Sequence, residues 1–349
     1  MMKDIYFSNN NEPVEIEDIY SDSSFENGQP QPPAPGRKQK KKRHPVRTII
    51  KIIVSAIIIV SLLISGMALI SKYTRSDLKK NEYVTGSELA NNPLITNILL
   101  IGTDEESSGT ARSDSMILLS LDFIHGKIKM TSFLRDCWVE IPSSGKKMKL
   151  NAAFVYGGAQ LLCDTIEYNF RVDIDHYVKV DFEMFTGIIN KLGGIDIEVT
   201  QKEADFINRT TRHTIESGSS VHLNGDQALV YARIRKLDSD YMRTYRQRKI
   251  IGALIEKVKH SSPFELIKTV NSVLPMLETD ISALEMPLNA YRGILSAVMF
   301  DIVQTKMPRD EMMTTGYVGS QWAEIPDLEK CREGIYKFIY TSDSEFDNN

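Results

Sequence analysis

The sequence predicts an α/β fold in which helices flank a mixed central β-sheet, with one transmembrane helix ahead of it. Between residues 93 and 340, short apolar runs of strand length alternate with longer segments of helical periodicity. Tight turns join the first strands, which favours some antiparallel pairing and therefore a mixed sheet. Ahead of this region, residues 52–71 form a run of twenty residues without a charge.

Residues 1–47 are predicted to be disordered. Their first part is acidic and rich in Ser, Asn and Pro, so it cannot bury enough apolar surface to offset the entropy of ordering the backbone. Their last part, residues 37–47, is strongly basic and lies directly beside the uncharged run. A nucleic-acid-binding patch is an alternative for these basic residues, but their position beside an apolar run favours a role at a membrane surface.

Residues 48–71 are predicted to be a single transmembrane signal anchor. At 1.5 Å per residue, the uncharged run spans about 30 Å, which matches the hydrocarbon core of a bilayer. Eight Lys and Arg residues lie between 37 and 51, against four between 72 and 80. The positive-inside rule then predicts a cytoplasmic N-terminus and an extracytoplasmic main domain. A cleaved signal peptide fits poorly, because the run starts late and no small-residue cleavage site follows it.

The folded part is predicted to begin at residue 93, after a polar stalk over 72–92. Gly102 ends the first apolar run, and residues 127–133 alternate strictly between apolar and polar, as a half-buried strand does. The following segment has the periodicity and length of a helix. The first half thus contains strands at 98–101, 115–122 and 127–133, a helix at 151–170 and a strand at 176–182.

The second half continues the alternation of helices and strands. A helix over 183–194 is expected to stop at Gly193 and Gly194, because glycine readily adopts the left-handed conformation that ends helices. The remaining predicted elements are a strand at 195–199, helical segments at 225–235 and 240–249, two amphipathic helices within 263–298, a last strand at 301–308, and a last helix at 327–340. Residues 341–349 are predicted to be a loose acidic tail.

Several common kinds of site are not supported by the sequence. Three widely spaced cysteines without a CxxC, and six histidines without an HExxH, argue against a zinc site. No GxGxxG follows a strand, and neither a GxxxxGK[ST] nor a GxSxG motif occurs. The candidate chemistry lies instead in carboxylates and arginines at the ends of predicted strands.

Two carboxylates end neighbouring strands. Asp104 follows the first strand and Asp114 precedes the second, so the sheet can bring them together. Two carboxylates with open water positions suit Mg²⁺ or Mn²⁺, especially where a phosphate supplies further oxygens. The alternative is that both residues only shape turns, which aspartate favours.

Basic side chains gather near the same strand ends. Arg112 flanks the second carboxylate, Arg135 and Asp136 follow the third strand, and Arg233 and Arg235 share a face only if their segment is extended.

On a helix, Arg243, Arg246 and Gln247 lie on one side, whereas Arg248 and Lys249 fall off it and are expected to be surface charge. Arginines at a helix N-terminus form an anion site. A solvated basic face and a nucleic-acid helix are the alternatives, and the outward topology disfavours nucleic acid.

The ordered set of motifs resembles one known family. "NILLIGTD", "RSDSMILLSLD", "KIKMTSFLRD", "KLNAAFVYGG", "HYVKVDF", "GGIDIEV", "LNGDQALVYARIR" and "DYMRTYRQRK" occur in this order over residues 97–249. Together they are similar to the LytR-CpsA-Psr family of cell-wall enzymes, whose usual N-terminal membrane span also matches. The resemblance implies a sheet and helices that enclose a hydrophobic lipid tunnel.

The resemblance also implies a function. The chain would be a phosphotransferase that moves a glycopolymer, such as teichoic acid or capsule, from a polyprenyl-pyrophosphate carrier to peptidoglycan. Residues carried over by motif would bind Mg²⁺ (Asp104 and Asp114) or surround the pyrophosphate (Arg112, Arg135, Arg233, Arg235, Arg243, Arg246 and Gln247), with Asp136 supporting the arginines. Apolar residues would line the tunnel: Phe154, Leu161, Leu162, Phe185, Ile188 and Ile189.

Two other functions remain open at the level of sequence. The same site would serve a polyprenyl-pyrophosphate hydrolase with water as the acceptor, or a non-enzymatic envelope regulator that binds the lipid. Cys137 departs from the family pattern, which has Ser or Thr after the Arg-Asp pair, so this chain lacks a hydroxyl at this position. Residues beyond 261 carry no signature motif and are interpreted as completing the fold or contacting the acceptor.

Overall fold

A computed structural model of the chain describes residues 74–104, 112–211, 213–235, 237 and 240–342, together with 54–60, 62, 63 and 66. All of them fall within one of the two units of the chain, Ile49–Asn349. The predicted disordered segment 1–47, the acidic tail from 343 onward and most of the predicted span lie outside the described residues.

Strands and helices alternate along most of the described chain. The strands are β1 Thr74–Arg75, β2 Ile95–Asp104, β3 Arg112–Asp122, β4 Lys127–Phe133, β5 Trp138–Ile141, β6 Lys146–Lys149, β7 His176–Val180, β8 Ile195–Val199, β9 Gly218–Leu223, β10 Glu278–Thr279, β11 Asp301–Met307, β12 Met313–Val318 and β13 Gln321–Pro326. The helices are α1 Ala152–Phe170, α2 Phe182–Lys191, α3 Gln201–Thr211, α4 Gly225–Ala232, α5 Asp240–His260, α6 Pro263–Val273, α7 Met286–Met299 and α8 Leu328–Tyr340.

The central sheet has seven strands in the order β1-β10-β7-β2-β3-β4-β11. β2, β3 and β4 pair antiparallel through short connections, whereas β7 pairs parallel to β2 and β11 parallel to β4. The predicted mixed sheet is therefore confirmed. Three two-stranded sheets lie outside this sheet: the hairpins β5–β6 and β12–β13, and the pair β8–β9, whose strands are separated in the chain by α3.

Helices cover both faces of the sheet. Met116 and Leu118 of β3 belong to a buried cluster with α1 and α8 on one face, whereas Ser115 and Ile117 point to the other face, because successive strand residues alternate. On that second side, α2 to α5 and the β8–β9 pair share a cluster that includes Ile189, and a cavity separates this cluster from β2, β3 and β7. Polar side chains at the ends of β2 and β3 thus open toward the cavity.

Most predicted elements have their predicted type, and the differences have physical causes. Helix α1 kinks at Gly157 and Gly158, where φ is −152° and 62°, so two glycines interrupt a segment predicted as one regular helix. The strand over 301–308 was predicted to be the last, which is wrong, because the β12–β13 hairpin follows it. That hairpin carries few strongly apolar alternating positions, since it lies outside the central sheet.

The described residues contain no helix long and apolar enough to cross a membrane. Residues 54–60 are helical, and Val60 packs with Leu266 of α6 and Met286 of α7 in a small apolar cluster. The transmembrane anchor at 48–71 stays a prediction, as most of it lies outside the described residues.

Candidate active site

A cavity of about 400 Å³ lies between the sheet and helices α2, α4 and α5. Most of its wall is apolar and comes from both layers. The apolar lining consists of Leu100, Ile101, Ile117, Val178, Val180, Phe182, Phe185, Ile188, Ile189, Leu229, Ala232, Ile250, Ile251 and Leu254. Such a cavity suits an apolar ligand of some length.

One end of the cavity is polar and charged. Its side chains are Asp114, Ser115, Asp181, Arg233, Arg235, Arg243 and Gln247. They come from the start of β3, the N-cap of α2, the end of α4 and the first turns of α5. The cavity therefore joins an apolar chamber to a group of arginines, which is the arrangement that a phosphate head with a hydrocarbon tail requires.

Asp114 lies at the centre of a network of ion pairs. Its two carboxylate oxygens accept hydrogen bonds from Arg135, at 2.9 Å, and from Arg235, at 3.3 Å. Asp136 lies 3.4 Å from Nε of Arg135 and 2.9 Å from Nζ of Lys149. The predicted role of Asp136 in supporting an arginine agrees with these contacts. The network holds Arg135 at the end of β4 beside the charged end of the cavity.

Asp104 and Arg112 face each other across β2 and β3. They are register partners, and the carboxylate of Asp104 accepts a hydrogen bond of 2.7 Å from the backbone N–H of Arg112. A β-bulge at Gly102 and Thr103 shifts the register, which leaves Asp114 as the extra residue of β3. The side chain of Arg112 is exposed and is not part of the cavity wall.

Asp104 and Asp114 are the candidate ligands of a divalent metal ion. The described residues contain no group of three or more His, Cys, Asp or Glu side chains that could hold an ion by themselves. Mg²⁺ is commonly held by one or two carboxylates with phosphate oxygens and water as the other ligands, and Asp104 and Asp114 supply donors of that kind, of which only Asp114 lines the cavity. Binding at Asp114 would compete with its contacts to Arg135 and Arg235.

Helix α5 directs its arginines to different surroundings. Arg243 and Gln247, followed by Ile250, Ile251 and Leu254, face the cavity, as residues three, four, seven and eight apart do on a helix. Gln247 accepts a hydrogen bond of 3.0 Å from the hydroxyl of Ser115 on β3. The cavity face of α5 thus combines a cation, an amide and apolar side chains.

Arg246 lies against α3 and α4 and is not in the cavity wall. It is 2% exposed and donates to Glu203 at 2.6 Å and to the carbonyl oxygen of Ile234 at 3.2 Å. Burial alone would raise the pKa of Glu203, but hydrogen bonds from Arg246 and Thr200 outweigh burial and hold it below its usual value. These contacts give Arg246 a structural role. Its predicted role in binding the phosphates stays a prediction.

Arg248 was expected to be surface charge, and this is wrong. Its side chain is 2% exposed and donates to the hydroxyl of Ser132 at 2.7 Å and to Gln304 at 3.0 Å. Burial lowers its pKa to about 10. Helical periodicity correctly predicted that Arg248 does not face the cavity. It did not show that strands β4 and β11 cover the side of α5 on which Arg248 lies. Lys249, in contrast, contacts Glu198 near the surface.

Arg233 and Arg235 leave the end of α4 on the same side. Arg233 is the C-cap of α4, and its backbone is not helical. Ile234, between the two arginines, is buried. The predicted helix over 225–235 therefore ends at Ala232, and both arginines line the cavity. The guanidinium carbon of Arg233 lies 4.3 Å from the centre of the Phe182 ring, which fixes the arginine at the mouth of the cavity by a cation–π contact.

The six residues predicted to line a tunnel fall into two groups. Phe185, Ile188 and Ile189 of α2 line the cavity. Phe154, Leu161 and Leu162 of α1 instead lie in the core cluster on the opposite face of the sheet. The sequence assigns both helices an apolar side but does not show which face of the sheet each one covers.

Two features of the site were not foreseen. Lys149 pairs with Asp136, 13 residues earlier in the chain, and Arg246 pairs with Glu203, 43 residues earlier. No signal in a single sequence marks such pairs, because their proximity depends on packing.

Cys137 is fully buried, and burial raises the pKa of its thiol well above its usual value, so this thiol is an unreactive part of the core. All three cysteines are free.

Comparison with known proteins identifies clear relatives. The LytR_cpsA_psr family profile matches residues 61–333. A curated relative, the polyisoprenyl-teichoic acid–peptidoglycan teichoic acid transferase TagU of Bacillus mycoides, is 31% identical over 256 residues, which cover 71% of this chain and 74% of that protein.

Solved structures show the same fold. The crystal structure of TagV from B. subtilis has a TM-score of 0.58 and 30% identity, and covers 72% of this chain and all of that one (100%). A structure of TagT with bound octaprenyl pyrophosphate has a TM-score of 0.56 at 20% identity, and covers 77% of this chain and 98% of that one, which shows likeness of fold.

Proposed function

This chain belongs to the LytR_cpsA_psr family, and from that premise we propose that it transfers a glycopolymer of the teichoic-acid type from a polyprenyl-pyrophosphate carrier to peptidoglycan. The name of the TagU relative supports the choice of polymer and acceptor. The structural observation that carries the proposal is the joining of an apolar cavity to a cluster of arginines around Asp114.

The two ends of the cavity match the two parts of such a donor. The polyprenyl chain occupies the apolar chamber beside Phe185, Ile188 and Leu254. The pyrophosphate lies at the charged end, where guanidinium groups bind phosphate oxygens in a bidentate manner. The polymer then extends from the mouth of the cavity toward the acceptor.

The reaction is a phosphoryl transfer. A hydroxyl of the peptidoglycan sugar attacks the phosphorus next to the polymer, and a new P–O bond forms. The bond from that phosphorus to the bridging oxygen breaks, so polyprenyl phosphate leaves and takes the electron pair, while the hydroxyl proton passes to solvent. Arg135, Arg233 and Arg235 neutralise negative charge on the phosphate oxygens, which is the main contribution expected of the protein in this chemistry.

A divalent ion is proposed as the cofactor. Asp104 and Asp114 would hold Mg²⁺ or Mn²⁺ together with phosphate oxygens. Such an ion supplies further charge neutralisation at the pyrophosphate.

The lipid carrier requires a membrane, and residues 48–71 are proposed to anchor the chain there with the N-terminus in the cytoplasm. If residues 52–71 cross the bilayer, Val60 lies about 16 Å inside its outer end. The contact of Val60 with Leu266 and Met286 must then open on insertion, because α6 and α7 belong to the outer domain.

A transfer assay with purified full-length protein and a lipid-linked donor, run with and without peptidoglycan fragments, tests the proposal. Transfer should appear as a phosphodiester product that requires the fragments, whereas release of phosphorylated polymer without them would favour hydrolysis. Arg135→Ala and Asp114→Ala should each lower the rate about 10²–10³-fold.

Arg209→Ala is the matched control, because this exposed arginine of α3 lies outside the cavity wall. Its rate should equal that of the wild type. Wild-type activity in both site variants would contradict the proposal, and lipid binding without any turnover would favour the regulator instead.

A further inference from the structure

The β12–β13 hairpin presents two aromatic side chains to solvent. Tyr317 and Trp322 are register partners across the hairpin, and their side chains are 72% and 48% exposed. Their ring centres lie 5.4 Å apart with an interplanar angle of 79°, an edge-to-face contact. An exposed aromatic pair costs hydration free energy in an isolated protein, and such patches commonly mark binding sites.

The hairpin is attached beside the charged end of the candidate active site. The backbone N–H of Glu324 on β13 donates to the carbonyl oxygen of Asp136, at 3.1 Å, and Glu324 pairs in a parallel bridge with Cys137. Because the bridge is parallel, Trp322 lies on the same side of it as Arg135. Trp322 precedes Glu324 by two residues, which corresponds to about 7 Å of strand.

The aromatic pair has polar neighbours on its own face of the hairpin. Side chains alternate along strands, and Thr315 with Glu324 forms the next register pair on the face of Tyr317 and Trp322. This face therefore offers two ring surfaces followed by the exposed hydroxyl of Thr315, in the direction of Asp136. A sugar ring has the complementary surface, with C–H groups on its faces and hydroxyls at its edge.

We infer that Tyr317 and Trp322 form a platform for the sugar rings of the peptidoglycan strand that accepts the polymer. The inference rests on the proposed function, and it names the surface that binds the second substrate. The weakly positive C–H groups of a pyranose lie against the negative face of an aromatic ring. A strand held on the platform has a hydroxyl within reach of the phosphate beside Arg135.

A lipid surface is the competing partner for exposed aromatic side chains. Residues 313–326 contain one acid and no Lys or Arg, so the hairpin has no attraction for anionic lipid. Proximity to Asp136 also gives the platform a place in the reaction, which a membrane contact at this position would not explain.

Direct binding can be read from tryptophan fluorescence. The chain has two tryptophans, so in a Trp138→Phe variant Trp322 is the single reporter. Soluble glycan strands of alternating N-acetylglucosamine and N-acetylmuramic acid should shift its emission to the blue in a saturable manner. No change at glycan concentrations that saturate transfer, or a shift produced only by vesicles of anionic lipid, would overturn the inference.

Kinetics separate this inference from the proposed function. Trp322→Ala should raise KM for the glycan acceptor about tenfold, the size of one aromatic contact, while the KM for the lipid donor stays unchanged. Trp322→Phe should restore most of the affinity, and Tyr317→Ala provides a second variant on the opposite strand.

Phe264→Ala is the matched control, because it removes an aromatic residue that is 76% exposed on α6. If the wild type transfers the polymer but KM for the acceptor is unchanged in Trp322→Ala and Tyr317→Ala, the platform is overturned and the proposed function stands. Absence of transfer by the wild type overturns the proposed function itself.

Discussion

At the scale of single residues, three arginines of one helix have three different surroundings. Arg243 faces the cavity, Arg246 pairs with Glu203 behind it, and Arg248 contacts Ser132 of the sheet. A guanidinium group is rarely buried without partners, because burial of a charge without hydrogen bonds is costly. A basic sequence run is therefore a mixture of binding and structural residues, and substitutions along it should have different consequences.

Arg246→Ala should lower the free energy of unfolding by about 3–5 kcal/mol, because it leaves Glu203 buried without its main partner. Chemical denaturation of the purified protein measures this loss. In the wild type, the lowered pKa of Glu203 gives stability that is present above its usual pKa of 4.5 and is lost as the pH falls through the folded value. That acid-side loss should be smaller in the variant.

A transfer rate reduced in Arg246→Ala at unchanged stability would place this residue at the phosphates instead. Lys249→Ala is a suitable control on the same helix, because its contact with Glu198 is near the surface and surface ion pairs contribute little.

At the scale of elements, the cavity depends on how closely α4 approaches α2. A side-chain carbon placed on Gly225, at the start of α4, would lie 2.3 Å from the carbonyl oxygen of Thr186 on α2. Only glycine permits this backbone approach. Because both helices contribute to the cavity wall, their spacing sets its width.

Gly225→Ala should therefore destabilise the protein by about 1–3 kcal/mol and weaken binding of a polyprenyl chain, since α4 must move away from α2. Thermal unfolding and a fluorescent prenyl-phosphate binding assay measure the two effects. Gly252→Ala on α5 is the control, because no atom lies within 4 Å of the added carbon, and alanine favours a helix. Equal behaviour of the two variants would show that the close approach does not shape the cavity.

At the scale of the whole molecule, a membrane anchor would hold the cavity near the leaflet that contains the lipid carrier. β1 begins at Thr74, a few residues after the predicted span, and pairs with β10 at the edge of the central sheet. Residues 74 and 75, which were predicted to belong to a polar stalk, therefore pair with the edge of the central sheet.

The predicted topology can be tested by cysteine labelling in intact cells. A membrane-impermeant maleimide should modify Ser320→Cys, at the exposed turn of the β12–β13 hairpin, and should not modify Ser21→Cys, on the predicted cytoplasmic side. The native cysteines are buried and should stay silent. Labelling of both positions, or of neither, would contradict a single span with the N-terminus inside.

The sequence by itself determined most strands of the central sheet, several of the helices, and which charged residues lie at strand ends. Strict alternation in Lys127–Phe133 and the glycine stop after α2 are local signals, because the pleat and the left-handed turn are properties of neighbouring residues. The positions of Asp104, Asp114 and Arg135 followed from the same reasoning, together with the resemblance of the ordered motifs.

Only the tertiary structure decided which helix covers which face of the sheet. This choice moved Phe154, Leu161 and Leu162 into the core and left Phe185, Ile188 and Ile189 at the cavity. It also turned Arg246 toward Glu203, buried Arg248, and attached the hairpin that carries Tyr317 and Trp322 to the backbone of Asp136. Periodicity defines the sides of an element, but what each side meets depends on contacts between residues far apart in the chain.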